Sequence, residues 1–250
     1  MSPTFVFRPG GVAAGNVYTD WAAMMVDVVA EPGPKWIEVD NSLAPANVPA
    51  GAWNVADCTF VASPNVAPGP PPGYGTCLLT WLDGATILGD NVRIQNVKFA
   101  NAGATVWTAG ALVTYVELWN AFVVSLAGAA PFFSFVATFP LLILYNSALG
   151  DGTHNVATIT AGVTLAFRLH ANSNVQAHAL AGAGSFAAFQ DASGLFNPTQ
   201  DNTGTHAALL LDDARRVSSS PAVPAHWSPV PTTTQGALDQ LAARLTAAGF

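Results

Sequence analysis

Charge is scarce in this 250-residue chain, where Asp, Glu, Lys and Arg together make up 9% of the residues, against the usual quarter. Between Lys98 and Arg168 the only charged residues of these four types are Glu117 and Asp151. Eight Lys and Arg stand against fifteen Asp and Glu, for a net charge of −7. No cationic stripe is therefore available to displace counterions from a phosphate backbone, and nucleic acid is excluded as the main partner. Long apolar runs are missing too: the stretch from Pro131 to Leu149 is broken by Ser134, Thr138, Pro140 and Asn146. No membrane partner is expected. The opening MSPTFVFRPGG lacks a charged region followed by an apolar core, so a secretory leader is not expected and assembly in the cytoplasm is.

Cysteine is nearly absent. Cys58 and Cys77 lie 19 residues apart, a spacing that predicts near neighbours in adjacent coils of a repeating fold. They are expected to be buried thiols, since buried Cys behaves as a small hydrophobe and a reducing compartment disfavours pairing. Enzyme signatures are also missing. The five histidines, His154, His170, His178, His206 and His226, show no HExxH or Cys/His metal spacing. There is no GxSxG elbow, Walker loop or dinucleotide fingerprint, and GAGSF at Gly182 lacks the strand-to-helix context and reads as a turn. No catalytic, cofactor-binding or metal residue is assigned.

What is present is a phrase that recurs, an apolar strand ending in a polar corner: LLTWLDGAT, LVTYVELWN, LLILYNSAL, LAFRLHANS, FAAFQDASG and ALLLDDARR. The last four begin 24, 21 and 22 residues apart, close to one coil of a parallel β-solenoid. Strands in such a stack pair with their equivalents one coil away. Strand-like runs fill the middle of the chain: Trp36 to Asp40, Trp53 to Val55, Thr59 to Ala62, Leu78 to Leu82, Val92 to Phe99, Val106 to Thr108 and Leu112 to Val116. The proline-rich Pro64 to Gly75 cannot pair in a sheet and is expected to project as a loop between two rungs. Half of a stack's strand residues face outward, so the charge-poor middle predicts an outer face buried between copies, with a homotrimer the expected assembly.

Aligning the phrases by their starts places Asp83, Glu117, Asn146, His170, Asp191 and Asp212 at roughly equivalent corner positions, one per coil. Stacked carboxylates are what a solenoid glycosidase or lyase uses. Short polar side chains that bond their own backbone at turns give the same pattern, and the turn reading is favoured.

The two ends differ from the middle. Val17, Trp21, Met24, Met25 and Val28 recur at helical spacing and Glu31-Pro32-Gly33-Pro34 stops the segment, which predicts a helical lid over the first coil. At the other end, Thr232 and Gln235 stand at capping-box spacing. Leu238, Leu241, Leu245 and Ala248 then form an apolar seam suited to a helical contact, with Trp227 as an anchor in the linker. The division expected is 1–35 for an N-terminal strand and capping helix, 36–219 for the β-solenoid, and 220–250 for a Pro-rich linker and short helix. Phe5, Phe7, Trp227, Leu238, Leu241 and Leu245 are the expected attachment or oligomer contacts.

The C-terminal PTTTQGALDQLAARL resembles the linker-helix common in tailed-bacteriophage fibre, spike and decoration proteins. FVFRPGGVAAGNVYTDWAAMM, followed by WIEVDNS and VPAGAWNV, is similar to the start of phage and prophage solenoid proteins. The resemblance covers about a fifth of the chain. It implies an all-β virion structural protein, a right-handed parallel β-helix, usually trimeric, with capsid or tail proteins as partners. A capsid decoration, head-fibre or tail-fibre subunit without enzymatic activity is the function expected, assembled in the host cytoplasm. Phage tailspikes that digest polysaccharide are commonly longer and display several acidic residues in a groove, which the nearly uncharged rungs here do not match. The alternative is a tailspike that degrades or binds host surface glycan, with Asp83, Glu117, Asp191 and Asp212 as acids or Trp81, Trp107, Trp119 and Tyr74 as platforms.

Overall fold

The computed structural model describes residues 4–66, 76–109, 115–136, 141–176, 178–190, 195–196, 201–202 and 206–210. Strands β1 (Thr4–Phe7) and β2 (Val17–Tyr18) precede the helix α1 (Trp21–Ala30). The chain then passes repeatedly through three sheets, one strand in each. The first circuit is β3 (Lys35–Val39), β4 (Ala46–Val48) and β5 (Gly51–Asn54), and the second is β6 (Cys58–Ala62), β7 (Leu78–Trp81) and β8 (Ala85–Leu88). Next come β9 (Val92–Gln95), β10 (Lys98–Asn101) and β11 (Trp107–Ala109), then β12 (Tyr115–Trp119), β13 (Phe122–Ser125) and β14 (Phe133–Phe135). The fifth holds β15 (Leu141–Tyr145), β16 (Ala148–Leu149) and β17 (Ala157–Ile159), and the sixth β18 (Thr164–His170), β19 (Asn174–Val175) and β20 (Leu180–Gly182). A seventh, β21 (Ser185–Gln190), β22 (Leu195–Phe196) and β23 (Asp201–Asn202), is followed by β24 (His206–Leu210).

The first sheet has ten strands in the order β2-β1-β3-β6-β9-β12-β15-β18-β21-β24, and the second has seven, from β4 to β22. The third comprises the pair β5-β8 and the run β11-β14-β17-β20-β23. An amide of Ile87 bonding the carbonyl of Val106 at 2.6 Å carries the third sheet across the break. Every pairing between these strands is parallel.

Alternation explains the core. In the first sheet Ile37, Phe60, Ile94, Leu118, Leu144 and Leu169 pair in succession and all point inward. Leu79, Phe99, Val123, Leu149 and Val175 do the same in the second. Each inward row therefore stacks like on like, and burial of apolar area at about 25 cal/mol per Å² drives the stack together.

Helix α1 closes the N-terminal end. Asp20 caps it by accepting from the Ala23 amide at 2.8 Å, and Trp21, Met24, Met25 and Val28 form its buried face. The Trp21 ring meets Phe7, Trp53, Phe60 and Trp81, which belong to strands of all three sheets. Val17 departs from the helical pattern expected of it: it pairs with Val6 in β2, and the helix starts only after Asp20.

Several expectations need correction. The run Val92 to Phe99 is two strands in two sheets, because Asn96 sits in the left-handed region (φ 56°) and turns the chain between β9 and β10. Cys58 and Cys77 are not in adjacent circuits. Cys58 opens β6 and Cys77 precedes β7 of the same circuit, since an insertion between those strands lengthens it. Both are free and buried. The proline-rich loop accordingly falls within a circuit, and residues 67–75 lie outside the described residues. So do 211–250, with Trp227 and the leucine seam.

Candidate functional site: the outer face of the first sheet

The outward rows of the first sheet carry most of the polar chemistry in the described strands. One row runs Thr59, Arg93, Glu117, Ile143, Arg168, and beside it runs Val61, Gln95, Trp119, Tyr145, His170. Glu117 is 5% exposed although its position faces out. Arg93 Nε donates to its Oε2 at 2.5 Å, Trp119 Nε1 donates to the same oxygen at 2.9 Å, and the Tyr115 hydroxyl donates to Oε1. Burial alone would push this carboxyl up, but the bonds from Tyr115, Trp119 and Arg93 outweigh it and hold the group below its ordinary range. Burial, reinforced by Glu117, pushes the Tyr115 phenol up to about 12.

Beside this cluster the aromatic row stacks across strands. Trp119 and Tyr145 have ring centroids 4.0 Å apart at 21°, and Tyr145 and His170 are 4.7 Å apart at 13°. Three rings on three successive strands thus stand face to face, with Trp119 37% exposed. A corner column follows: Asn96, Asn120 and Asn146 all have positive φ. The Asn146 Nδ2 donates to Asn120 Oδ1 at 2.7 Å, so amide side chains bridge neighbouring circuits where the backbone turns.

The expected polar corner column is therefore redistributed. Glu117 sits in mid-strand, three residues before the corner. Asn146 is at the corner, while His170 is in the outward aromatic row, one residue early. Asp83 belongs to a different corner, after β7 of the second sheet, where its Oδ1 accepts from the Ala104 amide at 3.0 Å. A Cβ on Gly103 would stand 2.4 Å from the Asp83 Cα, so only glycine lets these two circuits close. Asp191 and Asp212 lie outside the described residues. Asp83 and Glu117 thus share no groove.

Among the aromatic platforms expected, Trp81 and Trp107 are fully buried, because they face inward on β7 and β11; Tyr74 lies outside the described residues. Of the three that are described, Trp119 alone reaches the surface. Phe5 and Phe7, expected as attachment contacts, are 8% and 2% exposed. The chain's own core fills the surface they were to offer, and Phe7 meets Trp21 edge-on at 5.2 Å.

A second polar cluster closes the N-terminal end. Asp40 is buried, accepting from Arg8 Nε at 2.6 Å, from the Ser42 amide at 3.1 Å and from Asn65 Nδ2 at 3.0 Å. Burial raises its carboxyl, and the bonds from Ser42, Asn65 and Arg8 more than reverse that, holding it well below the usual carboxylate range. Burial pushes both cysteine thiols up to about 12, which leaves them unreactive. Among the described residues no group of three or more His, Cys, Asp or Glu could hold a metal ion, and no helix is long and apolar enough to cross a membrane.

Comparison with known proteins adds no relative: no family model, no curated protein and no solved structure matches the chain.

Proposed function

We propose that the chain is a non-enzymatic structural protein of a tailed-bacteriophage virion, a right-handed parallel β-helix that works as a homotrimer in a capsid decoration, head fibre or tail fibre. The observation that carries this reading is the unbroken parallel ladder from β2 to β24 in the first sheet. Such a ladder satisfies its backbone circuit by circuit and suits a rigid, elongated particle. Right-handedness rests on the strong preference of parallel crossovers for that hand.

The state of Glu117 supports a role without catalysis. A glycosidase acid needs its pKa raised so that it carries a proton near neutral pH. Glu117 is shifted the other way and has every oxygen engaged. Partners on this reading are capsid or tail proteins, and its setting is the assembled particle. The phage assignment itself leans on the resemblance of the two ends of the chain.

The test is to purify phage particles from a host that carries the gene and to search them for peptides of this chain. Stoichiometric recovery in the particle is expected. Recovery only from the soluble lysate would overturn the virion role.

One observation favours a second reading, glycan binding without cleavage: the Trp119, Tyr145 and His170 row reaches the surface. Against it, these rings cover one another's faces, which are the surfaces a sugar would stack on. Binding of host surface polysaccharide, lost in Trp119→Ala, would establish that reading.

A further inference from the structure

The strands of the third sheet carry no charge before its C-terminal edge. Strands β5, β8, β11, β14, β17 and β20 contain no Asp, Glu, Lys or Arg. The first sheet carries Lys35, Glu38, Arg93, Glu117 and Arg168, and the second carries Lys98. The first charged residue in the third sheet is Asp201, in β23 at its C-terminal edge.

The outward positions on this face are small. Thr108, Ser134, Thr158 and Ala181 pair in one straight row, while their neighbours Phe133, Phe135, Ala157 and Ile159 point into the core. Thr108 is exposed, and two bare apolar side chains flank the row, Leu88 at 50% and Val136 at 45%.

We infer that this face, centred on Thr108, Ser134 and Thr158, is the contact between copies of the chain; the inference rests on the homotrimer reading and names its surface. Charge selects the occupant. Each copy carries a net charge of −7, so copies repel one another as wholes and can approach with least opposition where neither presents a charge. An uncharged face lets identical chains approach without like charges opposed and without stranding an ion at the contact. Nucleic acid would need cations here, and a charged protein partner would need complementary charge. A second copy needs neither. Its rows also repeat at the same strand spacing, about 4.8 Å, so short side chains of one copy mesh with the same rows of the next along the whole stack.

The test is the solution mass of the full chain and of two variants by light scattering. The wild type is expected near three times 25.8 kDa. Ser134→Arg/Thr158→Arg is expected to fall to the single-chain mass with an unchanged far-ultraviolet circular dichroism spectrum, and Thr80→Arg, on the second sheet, to stay assembled. A wild type that is itself monomeric would overturn the trimer reading and this inference with it. An assembled wild type whose double Arg variant also stays assembled would overturn this inference alone. Should the double variant fail to fold, Thr108→Cys serves instead: oxidation is expected to yield a covalent dimer that Thr80→Cys does not form. No dimer from Thr108→Cys in an assembled protein would likewise overturn the inference.

Discussion

Two outer faces of the same stack solve the problem of outward side chains in opposite ways. On the first sheet, Glu117 and the rings beside it are satisfied by one another within the chain. Glu117 draws in Arg93, Tyr115 and Trp119, and Trp119, Tyr145 and His170 stack on successive strands. On the third sheet, Thr108, Ser134, Thr158 and Ala181 are short, uncharged and in a row. Nothing long enough to cover the row lies within it. One face is completed by its own side chains, and the other, on our proposal, by a second copy. The lesson is that exposure in a stacked fold is set by the outward neighbours: Tyr115 and Trp119 on its own strand and Arg93 one strand away together bury Glu117.

The contrast can be broken most forcefully at Glu117. Glu117→Ala leaves the Tyr115 hydroxyl, Trp119 Nε1 and Arg93 without their shared acceptor. A loss of about 2–3 kcal/mol is expected, read as a lower urea midpoint. Tyr145→Ala removes the middle ring of the stack and both ring contacts, at about 1–2 kcal/mol, measured in the same way.

Titration sharpens the contrast next. The folded Glu117 pKa lies below the ordinary carboxyl value of 4.5, so its ionised form is the one the fold favours. The stability it contributes is in place above pH 4.5 and is lost as pH falls through the folded value. Asp40 and Asp151 are also lowered, so the wild type weakens in acid for several reasons. Glu117→Gln is expected to be less stable at neutral pH and to lose less on acidification. Tyr115, raised from 10.0 to about 12, acts on the alkaline side. Its contribution is present below pH 10 and is lost as pH rises towards 12, and Tyr115→Phe should flatten that limb. The smallest effect belongs to the other face: Thr158→Val, measured on the dissociated chain, should change stability by no more than about 0.5 kcal/mol.

Much of the architecture was legible in the sequence, because it rests on periodicity. Alternating apolar residues at a spacing of a little over twenty pointed to the parallel strands, and Trp21, Met24, Met25 and Val28 to the buried face of α1. Register was harder. The phrases were matched by their apolar starts, yet strands in a circuit start at different points and are fixed by their corners. Matching the endings instead, Gln95-Asn96, Trp119-Asn120 and Tyr145-Asn146, brings out the asparagine column and the aromatic row together. Leu78 to Trp81 misled for a related reason: its phrase looks like the others but belongs to the second sheet. Phe5 and Phe7 look like free aromatics near a chain end, and only the docking of α1 shows that they are core.

Thiol labelling would test the central claim most directly, because Cys58 and Cys77 are buried with raised pKa values and leave a silent background. Thr158→Cys and Gln95→Cys place one reporter on each face. In the assembled protein, Gln95→Cys is expected to label rapidly and Thr158→Cys slowly, with Thr158→Cys gaining the faster rate on dilution to single chains. Equal rapid labelling of both at every concentration would contradict the account, since it would leave the uncharged face open to solvent.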